Sequence, residues 1–228
     1  MHWNVLQKRC QEKTEEAIAM KRKLYAALGI CASASMITAC GTSFEAAEST
    51  VYVTKQGNVI GADIEDFNEE YYDAEELEAY IAESVENYVA LNGDGSIELD
   101  RFETKSQDNG VMANLYLNYA TYIDYALFNE VEFFDGTIAQ AGEEGYEFDQ
   151  EFQGVEDGSL TGSIDVQGLL EDGELRAVII GEETTVKIDG TIQAVSDGNA
   201  EVTGKNTAQV HYDMEDPDAK PAYILYRQ

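Results

Sequence analysis

Cys40 is the residue in this 228-residue chain whose neighbours best equip it for chemistry. It closes the run Ile37-Thr38-Ala39-Cys40, in which a branched apolar side chain is followed by two smaller residues. A thiol reacts as its thiolate, a nucleophile that serine at the same position does not replace. What precedes it has a transport logic. Lys21, Arg22 and Lys23 form a basic end, and Leu24 to Thr38 form an apolar run of about 15 residues. That length is the upper end of a secretory hydrophobic region and falls short of the ~20 residues needed to cross a bilayer. Gly29, Ser33 and Ser35 weaken it further as a permanent span. The cationic end stays on the cytoplasmic side while the apolar part enters the translocon.

Residues 37–40 resemble a bacterial lipobox. The pattern has a branched apolar residue at −3, usually leucine, then small residues, then cysteine at +1. Ile37 is an accepted variant at −3, and Thr38 is bulkier than the commonest choice. The resemblance implies that Ile37, Thr38 and Ala39 are read by lipoprotein signal peptidase, which would cut after Ala39. It also implies that the Cys40 thiol carries diacylglycerol. Each buried CH₂ contributes about 0.8 kcal/mol, and two chains suffice for stable anchoring. Residues 20–39 are then a lipoprotein signal peptide. Residues 1–19 (MHWNVLQKRCQEKTEEAIA) are polar and of mixed charge, and lie where such leaders carry no extension. Met20 is the expected initiator, with a cytoplasmic helix as the alternative.

Composition then limits the function. Removal of residues 1–39 takes away three acids and six bases, leaving 42 acids and 8 bases in 189 residues, a net charge of −34. Nucleic acid is excluded as a partner, because it demands clustered Lys and Arg. Anionic headgroups are repelled by the bulk of such a chain. Cys40 would be the only remaining thiol, which rules out a cysteine nucleophile, a thiolate zinc site and an internal disulfide. His211 would be the only histidine. With no nucleophile elbow either, a hydrolytic triad has no support. Two of the many carboxylates across a sugar bond would suffice for a glycosidase, but at this density such a pair arises by chance.

The elements that position these residues follow from periodicity. Gly41 to Thr50 is small, polar and acidic and reads as a tether reaching roughly 35 Å at full extension. Val51–Val53 and Ile60–Ile64 read as strands joined at Gln56-Gly57-Asn58. Asp73 and Glu76 have capping-box spacing, and Leu77, Tyr80, Ile81, Ser84, Val85, Tyr88 and Val89 follow as one helical stripe. A strand begins at Ile97. Asp108-Asn109-Gly110 makes a hairpin, and Val111, Ala113, Leu115, Leu117 and Tyr119 share one face of the return strand. Short helices are expected at Thr121–Asn129 and Thr137–Ala141. From Glu147 the pattern is almost wholly β, with turns at 156–158, 172–173, 189–190, 197–199 and 205–206. The expected fold is α+β: an antiparallel sheet packed by one long amphipathic helix, followed by a β-rich C-terminal half. In residue ranges this is a tether over 40–50, an α+β domain over 51–155 and a β-rich region over 156–228, the last within the same domain or a second small one.

Two other patterns suggest binding. Asn92, Asp94 and Ser96 alternate as calcium ligands do, but Ala90 and Arg101 occupy the outer positions where carboxylates are needed. No metal or other cofactor is therefore expected. Tyr116, Tyr119, Tyr122, Tyr125 and Phe128 recur every three residues, as in a stacking platform, yet the run crosses a strand-to-helix junction, which favours packing.

EDFNEEYYDAEEL (65–77) and FNEVEFFDGTIAQAGEEGYEFDQEF (128–152) are similar to uncharacterised extracytoplasmic lipoproteins of clostridial Firmicutes, over about residues 50–155. That similarity implies a Gram-positive envelope setting and supplies no catalytic residues. The expectation is a lipid-anchored protein on the extracytoplasmic face of the cell membrane, binding or scaffolding an envelope protein or glycan. The alternatives are an acid-pair hydrolase of an envelope or dietary glycan, and a cation-binding surface module.

Overall fold

The computed structural model describes residues 44–228, except Glu70 and Asn109. The leader, Ile37, Thr38, Ala39 and Cys40 lie outside the described residues, as does Asn109 of the expected hairpin turn. Short strands dominate, and alternation of apolar and polar residues explains how they stack. Strands β1 (Thr50–Val53), β2 (Val59–Asp66), β3 (Ile97–Gln107), β4 (Gly110–Tyr119), β9 (Thr184–Ile188), β11 (Ala200–Gly204) and β12 (Thr207–Val210) form a seven-stranded sheet in the order β11-β12-β9-β1-β2-β4-β3. Strands β5 (Phe133–Thr137), β6 (Phe152–Glu156), β7 (Ser159–Ile164), β8 (Arg176–Ile180), β10 (Thr191–Ser196) and β13 (Ala222–Arg227) form a six-stranded sheet in the order β5-β8-β13-β10-β6-β7.

One core joins the two sheets. Val51, Val53, Val186 and Ile188 from the first meet Val178, Ile180, Ile224 and Tyr226 from the second, all at most 2% exposed. The alternate residues of the six-stranded sheet, among them Phe134, Phe152, Ile179 and Leu225, form a second cluster on its other face. Of the short helices α2 (Tyr122–Asn129), α3 (Ile138–Glu143) and α4 (Gln167–Leu170), the last two contribute to or flank this cluster through Ala141, Leu169 and Leu170.

The α+β expectation is corrected by this arrangement: the fold is predominantly β, with two sheets. A helix, α1 (Ala74–Asn92), does form, and its start is set as the sequence implies. The Asp73 carboxylate accepts from the Glu75 and Glu76 amides at 2.9 and 3.2 Å, and Gly93 closes the other end at φ 103°. But only Leu77 and Ile81 of its stripe become buried, so α1 covers one flank and does not organise the core. Burial of each such side chain is worth about 1.5–3 kcal/mol, a small share beside thirteen strands' worth of apolar residues. The two sequence segments on either side of residue 155 share both sheets. β1 pairs in parallel with β9, Val51 opposite Val186, across more than a hundred residues of chain.

The supposed tether also differs. Phe44 to Ser49 lies as a strap across the outer face of the seven-stranded sheet. The Phe44 ring sits 5.0 Å from Tyr52 and 6.4 Å from Tyr116, and Lys187 Nζ lies 5.3 Å from the same ring. Glu45 pairs with Arg101 at 2.6 Å, and the Ala46 amide donates to the Tyr116 hydroxyl at 3.3 Å. The Thr185 hydroxyl donates to the Glu48 carboxylate at 2.8 Å. Ser49 Oγ both donates to the Ile64 carbonyl and accepts from its amide. Tyr116 is left only 1% exposed on what would otherwise be an open face.

Candidate functional site

A concave site lies where the second cluster meets the end of the six-stranded sheet. Thr137 caps α3 with a reciprocal contact to Gln140, which fixes the direction of that short helix. The helix ends near Glu144, and Gly145, at φ 92°, turns the chain so that the Tyr146 amide donates back to the Ala141 carbonyl at 3.0 Å. Tyr146 then rests against Phe134 at 5.3 Å and meets Tyr223 edge-on at 6.4 Å. Phe148 and Phe152 contact Tyr223 from other sides, at 5.5 and 6.3 Å. The alternation Tyr146-Glu147-Phe148-Asp149 thus sends two rings toward the core and leaves both carboxylates exposed.

The opposite wall comes from the β10–β11 turn. Ser196 Oγ donates to Asn199 Oδ1 at 2.6 Å and accepts from the Tyr223 amide at 2.9 Å. Asn199 Nδ2 donates to the Lys220 and Pro221 carbonyls at 3.0 and 3.2 Å. Gly198, at φ 86°, permits the tight turn that presents Asp197. The result is a cleft of about 300 Å³ whose lining includes Tyr146, Tyr223, Glu147, Asp149, Asp197, Gln150 and the basic Lys220. Gln150 Nε2 is buried with no hydrogen-bond partner among the described residues, a donor left unused. Burial, with Glu132 and Glu144 nearby, pushes the Tyr146 phenol up to about 12. Burial first, then Glu132, Asp149 and Glu147, raises that of Tyr223. Both phenols therefore stay protonated and can donate hydrogen bonds at neutral pH.

The other sequence candidates disperse. Tyr116 lies under the strap, Tyr119 and Tyr125 meet in the core at 5.0 Å, and Tyr122 packs on Phe134 and donates to Glu144. They make no platform. Asn92 to Ser96 is a helix-to-strand turn, with Gly93 and Gly95 both at positive φ, and Asn92 Nδ2 donates to the Tyr88 carbonyl. His211 is exposed, 4.0 Å from Glu201. Cleft residues were missed because their significance depends on strand order. The one sequence signal was the ring–acid alternation in GYEFDQEF. Among the described residues, no helix is long and apolar enough to cross a membrane.

The chain matches no protein-family model, no curated protein and no solved structure at a significant level.

Proposed function

We propose that this is a lipid-anchored protein of the extracytoplasmic face whose Tyr146–Tyr223 cleft binds an organic cation. The cleft geometry is the observation that carries the binding half of this reading. Three carboxylates outweigh the single ammonium of Lys220 and stand beside two tyrosine rings, an arrangement that attracts an ammonium or guanidinium group by charge and receives its apolar stem on the rings. An anionic ligand is disfavoured by Glu147, Asp149 and Asp197, and by the net charge of the whole chain. The anchoring half is supported by the basic, apolar and small-residue sequence that ends at Cys40.

Titration of the detergent-solubilised full-length protein with spermidine at 0.15 M salt tests the cleft. One saturable site is expected, weakened at least about tenfold, or 1.4 kcal/mol, by Tyr146→Ala and by Asp149→Asn. The same variants should unfold at nearly the wild-type urea concentration, because Tyr146 is only half-buried and Asp149 is exposed. Glu83→Gln on α1 serves as a distant acidic control and should leave the affinity unchanged. Equal weakening by the control would mean diffuse attraction and defeat the proposal. So would preferential binding or cleavage of chitotetraose, a neutral glycan.

A further inference from the structure

Opposite charges share the Tyr146–Tyr223 cleft without neutralising one another. Lys220 lines it together with Glu147, Asp149 and Asp197, yet among the described residues no ion pair ties its ammonium to any of the three. A lysine in direct contact with those acids would cancel them. Held apart from them, it gives the cleft two ends of opposite sign.

The fold accounts for the separation. Lys220 belongs to the wall made by the β10–β11 turn. Asn199 Nδ2 donates to its carbonyl at 3.0 Å and to the Pro221 carbonyl at 3.2 Å, which fixes the backbone just before β13. Pro221 limits that backbone further through its locked φ. Glu147 and Asp149 come from the facing wall, between Gly145 and Gln150. Acids earlier in the Lys220 loop are engaged on backbone: Asp213 Oδ1 accepts from the Glu215 amide and Asp216 Oδ1 from the Asp218 amide, both at 2.9 Å. Gln150 adds a second donor, since its buried Nε2 has no partner among the described residues. A buried donor is costly to leave unpaired, so a ligand that supplies an acceptor gains by it.

A ligand that is only cationic satisfies the acids and is repelled by Lys220. One that also carries a carboxylate satisfies both. An amino acid with a cationic side chain has the matching inventory. Its α-carboxylate suits Lys220 and Gln150, and its α-ammonium suits Asp197 on the same wall as Lys220. Its stem suits the Tyr146 and Tyr223 rings, and its terminal cation suits Glu147 and Asp149. A cleft of about 300 Å³ is at the small end of ligand pockets, the scale of one amino acid and not of a long peptide.

We propose that the cleft is a site for a free basic amino acid, with lysine as the simplest case, recognised through both signs of its charge. This rests on the reading of the cleft as an organic-cation site and is independent of the lipid anchor.

The test compares lysine with cadaverine, which keeps the stem and two ammonium groups and lacks the carboxylate. Calorimetry on the detergent-solubilised full-length protein at neutral pH and 0.15 M salt reads both affinities. Wild type should bind lysine at least about tenfold more tightly than cadaverine, and lysine methyl ester should behave like cadaverine. Lys220→Met should erase that preference while binding cadaverine at least as well as wild type does, because a repelling charge is gone. Lys220 is exposed, so the variant should unfold at the wild-type urea concentration. Glu147→Gln should weaken lysine and cadaverine alike. Cadaverine bound as tightly as lysine by wild type overturns the amino-acid site and leaves the organic-cation reading standing. A preference for lysine that survives Lys220→Met overturns the role of Lys220 and the two-ended recognition built on it. Failure of lysine, cadaverine and spermidine alike to bind removes the organic-cation reading, and the amino-acid site with it.

Discussion

Replacing Asp135 by alanine is expected to destabilise the fold by about 3–5 kcal/mol, the cost of breaking a buried ion pair from one side. Asp135 is on β5, at a position facing the core between the sheets, and its side chain is 2% exposed. One carboxylate oxygen accepts from the Tyr226 hydroxyl at 2.6 Å, and the other pairs with Arg176 at 2.8 Å. Arg176 Nε in turn donates to the Tyr226 oxygen at 2.8 Å, closing a three-membered network. Alanine would leave a guanidinium half out of water and a buried phenol without its acceptor. For a domain of this size each kcal/mol lowers Tm by about 2–4 °C, so a fall near 10 °C is expected. Urea unfolding of the variant beside wild type measures it. The double change Asp135→Leu with Arg176→Met should recover much of the loss, because a packed apolar pair replaces the ions. A loss below 1 kcal/mol in the single variant would mean that the network contributes little.

Glu182 should show the opposite behaviour. Its carboxylate is enclosed, and the Tyr125 hydroxyl donates to it at 2.6 Å. Burial raises its pKa, and the Tyr125 bond only partly opposes the shift. Glu65 moves the same way, through burial first and then the neighbouring Asp63 and Asp66 charges. A carboxyl whose folded pKa exceeds its unfolded value holds its proton more tightly in the folded state. Its contribution is therefore fully present below the unfolded pKa and is lost as pH rises through the folded one. Glu182→Gln keeps an acceptor for Tyr125 and removes the buried charge. It should stabilise the protein by about 1–3 kcal/mol at pH 8, the scale of a desolvated polar group, and have almost no effect near pH 4. Urea midpoints from pH 4 to pH 8 give the comparison. A variant less stable than wild type at pH 8 would show that the ionised carboxylate is satisfied in the fold.

Local structure was legible in the sequence because it depends on neighbours in the chain. The Asp73 cap, the short helices near Thr121 and Thr137, the Leu77–Ile81 stripe and the alternation through Leu115, Leu117 and Tyr119 each appear where short-range patterning puts them. The long helix dominates the sequence pattern for a physical reason: nineteen residues at one period make a stronger signal than many strands of four to six. What the pattern does not encode is which strand pairs with which. Neither the β1–β9 pairing nor the joining of Tyr146 to Tyr223 is implied by any local stretch. Asp135 and Glu182 looked like any others among the acids, since only enclosure distinguishes them. Phe44 to Ser49 read as a tether because its small, polar composition hides that Phe44 has a ready seat on Tyr52 and Tyr116.

A lipid anchor on Cys40 is the proposal's central claim and would set the cellular address. Growing cells that express wild type or Cys40→Ser with an alkyne-bearing palmitate analogue, then separating membranes from soluble protein, tests it directly. Wild type should carry the label and sediment with membranes, and Cys40→Ser should be unlabelled and absent from them. Equal labelling of the two proteins, or unlabelled wild type in the soluble fraction, would contradict it.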